Sequence, residues 1–105
     1  MSIQRLKPYI NGAIVESKTA KYMPVYDPST GETIAETPCC TVDEVNAAVA
    51  AAKAAFPAWS NTPCAKRVEV LYRFRDLLNS HMDELTHILC RENGKNWDEA
   101  RGDLL

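Results

Sequence analysis

The pattern of apolar and polar positions divides the chain into two regimes. Up to residue 38, apolar residues stand singly or in runs of two or three, broken by polar and turn-forming residues. From residue 41 they recur at intervals of three and four, the period of a helix with one buried face. In the first regime Asn11-Gly12 joins Pro8-Tyr9-Ile10 to Ala13-Ile14-Val15-Glu16. Both central residues of a type I′ turn need positive φ, which this pair supplies most readily, so a β hairpin is predicted there. A second turn, Asp27-Pro28-Ser29-Thr30-Gly31, separates Met23-Pro24-Val25-Tyr26 from Glu32-Thr33-Ile34-Ala35-Glu36-Thr37. Proline at the first central position and glycine at the end predict a type I turn. Two such ribbons are not stable in water alone and need a larger body to lie on.

In the second regime Thr41-Val42-Asp43-Glu44 reads as a capping box, with Val42, Val45, Val49, Ala52 and Phe56 as one apolar stripe. Alanines at 47, 48, 50, 51, 52, 54 and 55 favour helix and permit close approach. Pro57 is expected to end this helix, and Trp59 to fold back into the core. Thr62-Pro63 predicts the next helix start, cap followed by proline at the first position, with Val70, Leu71, Phe74, Leu77 and Leu78 buried. Lys66, Arg67, Arg73, Arg75 and Asp76 fall largely on its other face and read as a solvated surface. Asn79-Ser80 is expected to cap a third helix with the stripe Met82, Leu85, Ile88 and Leu89, and Gly94 to end it in the left-handed region. Asn96-Trp97-Asp98-Glu99 opens a fourth helix with a second capping box. It stops after about two turns at Leu104-Leu105. The expectation is a segment of a longer chain, or a last turn that docks on a partner.

Composition narrows the class. The 105 residues (11.7 kDa) are 46% hydrophobic and 25% charged, as in an ordinary globular chain, and a single domain of that length buries roughly two thirds of its unfolded surface. A net charge of −2 gives no electrostatic case for nucleic acid or an anionic membrane. The alanine-rich run Val45–Phe56, interrupted by Asn46 and Lys53, is too short to span a bilayer, and Met1–Lys7 lacks the apolar region of a signal peptide. A cytoplasmic location is expected. Cys39, Cys40, Cys64 and Cys90 have no zinc or haem spacing and read as reduced thiols. Cys90 lies on an apolar helix side, and Cys64 sits near a helix N-terminus, where a thiol pKa can fall. His81 and His87, six residues apart, occupy different helix faces and do not share a metal. No glycine-rich phosphate loop or nucleophile elbow is present. Glu92-Asn93-Gly94-Lys95 reads as a helix end followed by a cation rather than as a phosphate loop.

The order of the motifs is more specific than any one of them. Tyr9-Ile10-Asn11-Gly12, then Val25-Tyr26-Asp27-Pro28-Ser29-Thr30-Gly31-Glu32-Thr33-Ile34-Ala35, resembles the opening of NAD(P)-dependent aldehyde dehydrogenases. Thr41–Val45 with its alanine-rich helix, Ala58-Trp59-Ser60, Lys66-Arg67 and Glu92-Asn93-Gly94-Lys95 keep the same order and spacing, so the resemblance covers nearly the whole chain. Phe56–Pro63, Val70–Leu78 and Ala100-Arg101-Gly102-Asp103 look like the CoA-acylating methylmalonate-semialdehyde dehydrogenases within that family.

The resemblance implies an α/β parent, of which this segment would be an incomplete N-terminal part of the nucleotide-binding domain. Residues 1–38 would form two β hairpins, and 41–105 three helices and the start of a fourth. It implies a homo-oligomeric oxidoreductase in which a cysteine thiolate attacks a semialdehyde and hydride passes to NAD or NADP. The resulting thioester acyl group goes to CoA, or to water in non-acylating relatives. The family's nucleophile, base, oxyanion asparagine and cofactor contacts all map beyond Leu105. No catalytic, cofactor-binding or metal residue is therefore assigned here, and none of the four cysteines takes the nucleophile's role. Some relatives hold a monovalent cation near the positions of Val25, Tyr26 and Asn93, but an aspartate is common where this chain has Asn93. The segment alone is expected to be inactive. The competing reading is a non-catalytic helical module that self-associates through Ile14, Val15 and the Leu104-Leu105 end.

Overall fold

The computed structural model describes residues 3–105; of the N-terminal run, Met1 and Ser2 lie outside the described residues. Five short strands come first: β1 (Gln4–Arg5), β2 (Tyr9–Ile10), β3 (Ala13–Ile14), β4 (Tyr22–Tyr26) and β5 (Thr33–Pro38). Four helices follow: α1 (Val42–Asn61), α2 (Cys64–Ser80), α3 (Met82–Asn93) and α4 (Trp97–Leu104). The chain divides into two compact units. One runs through Val25 and resumes at Thr33–Asn61; the other is Tyr26–Glu32 with Thr62–Leu105.

In the first unit β2 and β3 pair antiparallel, Tyr9 with Ile14 and Ile10 with Ala13. Asn11 (φ 53) and Gly12 (φ 78) both lie in the left-handed region that the turn requires. The second ribbon gains a strand that periodicity did not indicate. β1 runs parallel to β5, Gln4 opposite Ala35 and Arg5 opposite Glu36, in the order β1-β5-β4. Arg5 fastens this strand, donating to Glu36 at 2.9 Å with its guanidinium 4.5 Å from the centre of the Tyr22 ring. Two residues are too few to carry a pattern, which is why β1 escapes a reading of the sequence.

α1 departs from expectation in two ways. It continues through Pro57 to Asn61. Proline removes only one amide donor, and the following turn is held in part by the Ser60 hydroxyl donating to the Pro57 carbonyl at 3.1 Å. Trp59 therefore stays on the helix, 47% exposed, and plugs no core. The stripe Val42, Val45, Val49 and Phe56 also faces outward, each residue more than half exposed. The half-buried positions are Glu44, Ala48 and Ala51. Ala48, Ala51, Ala52 and Ala55 line one wall of a groove whose other wall is the β2–β3 hairpin. Small side chains let the hairpin lie close to the helix, and the larger apolar residues are left uncovered.

In the second unit α2 starts one residue later than expected. Pro63 stands at the cap and its carbonyl accepts from the Lys66 and Arg67 amides. The Val70, Leu71, Phe74 and Leu77 face is exposed. Ser80 does not cap α3: its hydroxyl donates back to Leu77 O at 2.9 Å. His81 serves both as the C-cap of α2 and the N-cap of α3, with Nδ1 3.2 Å from Glu84. Gly94 ends α3 at φ 77, and its amide donates to Cys90 O. A Cβ there would lie 2.9 Å from Pro28 Cγ, so the Asp27–Gly31 turn rests directly against this glycine. α4 packs on α3, capped by Asn96 Oδ1 accepting from the Glu99 amide at 3.0 Å. Among the described residues only Met82 and Thr86 on α3 and Ala100 on α4 are buried. The Thr86 hydroxyl is satisfied by Met82 O at 2.7 Å. The apolar stripes of α1 and α2 are largely exposed rather than buried as expected.

Candidate functional site

The densest polar arrangement in the first unit surrounds the start of α1. Thr41 and Glu44 form the predicted capping box, the Thr41 amide donating to Glu44 at 2.9 Å and the Glu44 amide to Thr41 Oγ1 at 3.3 Å. The same carboxylate reaches across to the strand-free segment before β4. It accepts from the Ser17 hydroxyl at 2.8 Å and from the Lys18 amide at 2.5 Å. The amides of Lys18 and Thr41 and the Ser17 hydroxyl hold the Glu44 carboxyl below its ordinary value; partial burial opposes them, and the Cys40 thiol adds a last, smaller pull downward. Glu44 is thus a clamp between loop and helix. Its lone pairs are taken up by structural donors, which leaves it unsuited to proton transfer.

The cysteines are dispersed. Cys39 continues the β5 ladder, its amide donating to Lys21 O at 2.9 Å, and is half-buried. Cys40, next to it, is exposed. Cys64 is exposed at the first turn of α2, where Arg67 Nη2 lies 3.0 Å from its Sγ and Arg67 Nε donates to Thr62 O. A guanidinium cannot accept a proton, so Arg67 is no base for this thiol. Cys90 is half-buried on α3. His81 is engaged with Glu84 at a helix junction. Among the described residues no three His, Cys, Asp or Glu side chains converge as metal ligands. The structure brings none of these groups into a nucleophile–base pair.

A polar pocket of about 270 Å³ in the second unit is lined by Ser80, His81, Asp83, Glu84 and Arg101. Its one guanidinium is committed to Asp83 at 2.9 Å. Nor do the residues present fit the dinucleotide that the resemblance implies. β5 passes into α1 through Cys39-Cys40-Thr41, with no glycine to let a phosphate approach the backbone. Glu44 already takes the Thr41 amide and places negative charge where a phosphate would sit. No helix among the described residues is long and apolar enough to cross a membrane.

Residues 14–105 match the aldehyde dehydrogenase family profile. Malonate-semialdehyde dehydrogenase 1 of Geobacillus thermodenitrificans (strain NG80-2) is 44% identical over 102 residues, which is 97% of this chain and 21% of that protein. The crystal structure of methylmalonate-semialdehyde dehydrogenase from Oceanimonas doudoroffii superposes with a TM-score of 0.90 at 35% identity, over 97% of this chain and 21% of that one. A structure from Sinorhizobium meliloti 1021, assigned as a methylmalonate-semialdehyde dehydrogenase and complexed with NAD, gives the same TM-score, identity and coverage. The chain thus spans about a fifth of the length of these relatives. The backbone of this chain thus follows that of these relatives over 97% of its length, and the chain belongs to the aldehyde dehydrogenase family.

Proposed function

We propose that this chain is the N-terminal part of the nucleotide-binding domain of a semialdehyde dehydrogenase. The enzyme oxidises malonate or methylmalonate semialdehyde with NAD and transfers the acyl group to CoA. It works as a cytoplasmic homo-oligomer, and its catalytic cysteine, base and cofactor contacts lie outside these 105 residues. The observation that carries this reading is the outward apolar face of α1 and α2, in a chain matching semialdehyde dehydrogenases along 97% of its length. Val45, Val49, Phe56, Leu71, Phe74 and Leu77 are each about half exposed or more. An exposed apolar face, on each of these helices taken by itself, marks a surface built to be covered. The chain's own contribution is structural. Glu44 locks the Ser17–Lys18 loop to α1, and Gly94 seats the Asp27–Gly31 turn on α3.

The test uses the native gene product. Its mass is expected to be roughly five times 11.7 kDa, from the 21% coverage of relatives. It should form NADH from malonate or methylmalonate semialdehyde, in a reaction that requires CoA and yields an acyl-CoA. NADH formation without CoA would replace the acylating reading by the hydrolytic one. A native product of 105 residues that forms no NADH would overturn the enzyme reading altogether.

A further inference from the structure

The chain contains two Asn-Gly pairs, Asn11-Gly12 and Asn93-Gly94, and the structure treats them differently. We propose that Asn11 is a site of spontaneous modification, deamidating to aspartate and isoaspartate, and that Asn93 is protected from the same reaction by the fold. In this chemistry the backbone nitrogen of Gly12 attacks Asn11 Cγ. The Cγ–Nδ2 bond breaks, the side-chain nitrogen leaves as ammonia, and the Gly12 amide proton is lost to water. The five-membered succinimide that results is opened by water at either carbonyl. One water is consumed and one ammonia released, with no change of oxidation state.

Three features favour this at Asn11. Both residues of the pair are exposed at the hairpin tip. The Gly12 amide, which is the nucleophile, has no hydrogen-bond partner among the described residues. A Cβ at Gly12 would meet nothing within 4 Å, so no neighbouring group packs against the glycine and pins the turn. The reaction needs the turn to leave its left-handed geometry briefly, and strands of two residues each resist such fraying weakly. At Asn93 the situation reverses. Asn93 belongs to the last turn of α3, and the Gly94 amide is engaged with Cys90 O at 2.9 Å. Pro28 Cγ stands 2.9 Å from the place a Gly94 Cβ would take, which holds the peptide where it is.

The two products differ in consequence. Aspartate is accepted at the first central position of a type I′ turn, so it preserves the hairpin and adds one negative charge. Isoaspartate lengthens the backbone by one carbon and breaks the Tyr9–Ile14 and Ile10–Ala13 register.

The native gene product is incubated at mildly alkaline pH and mapped by peptide mass, with isoaspartate detected by its altered chromatographic retention. In the folded protein Asn11 should deamidate at least about tenfold faster than Asn93, the ratio expected when only one site opens locally. In denaturant the two rates should converge, because the reacting dipeptide is the same. Equal or reversed rates in the folded protein, or no reaction at Asn11 where the denatured chain reacts, overturns the proposal. Asn11→Asp should keep amide protection at Ile10 and Ala13, whereas the isoaspartate species should lose it; loss in both would overturn the division between products.

Discussion

At the scale of single residues, Glu44 shows how one side chain can set a pH response. Its carboxyl lies below the ordinary value of 4.5, chiefly because the Lys18 and Thr41 amides donate to the ionised form. A group depressed in the folded state contributes stability that is present above pH 4.5 and is lost as pH falls through the lowered value. Glu44→Gln should therefore lower the unfolding temperature at neutral pH, with the gap to the parent narrowing as the solution is acidified below pH 4.5. Thermal melts of both proteins across pH check this; a gap independent of pH would mean the carboxylate's charge plays no part. The capping role of Thr41 and Glu44 was legible in the sequence, since a capping box is local and spans four residues. The reach of Glu44 to Ser17 and Lys18 was not, because a contact across 26 or 27 residues leaves no periodic trace.

At the scale of elements, the two predicted turns and the Thr41 and Asn96 caps followed the sequence, whereas the caps expected at Thr62 and Asn79-Ser80 and the packing faces did not. Asn11-Gly12 and Gly94 act through their own backbone geometry and Asn96 through a side chain that reaches only three residues on, so residue type determines the outcome. α1 is different: the valine stripe predicted to be inward lies outward, and its alanines approach the hairpin instead. A helical period reveals that a face is apolar but not which neighbour covers it. Pro57 was read as a terminator because an interior proline removes a donor, yet the loss of one bond in a 20-residue helix is bearable. The α3–α4 contact is where packing is closed. Ala100 on α4 is 0% exposed. Ala100→Leu should destabilise the second unit by about 1–3 kcal/mol through overpacking. A chemical-denaturation midpoint unchanged from the parent would show that the contact has room to spare.

At the scale of the whole molecule, the decisive contrast is between the many exposed apolar residues and the two, Met82 and Ala100, that are buried among the described residues. Phe56 is 66% exposed in this chain. Phe56→Ala should change the stability of the isolated 105 residues by no more than about 0.5 kcal/mol, the range of surface substitutions. In a complete dehydrogenase that covers this face, the same change should cost about 3–5 kcal/mol. Unfolding both forms with denaturant distinguishes the cases, and a large loss in the isolated chain would contradict the exposed face. The family was legible in the order of motifs from Tyr9 to Asp103.

The seat of the Asp27–Gly31 turn on Gly94 has a genetic corollary. Whichever codon specifies Gly94, every single-base missense change in it installs a residue with a Cβ. That atom meets Pro28 Cγ at 2.9 Å while the backbone is held at φ 77, so an incoming side chain is opposed twice. At Gly12, with nearly the same φ and nothing within 4 Å, only the backbone objects. A library of random variants selected for folding should thus be depleted at codon 94 more severely than at codon 12. The asymmetry arises from a proline ring 66 positions upstream in the chain.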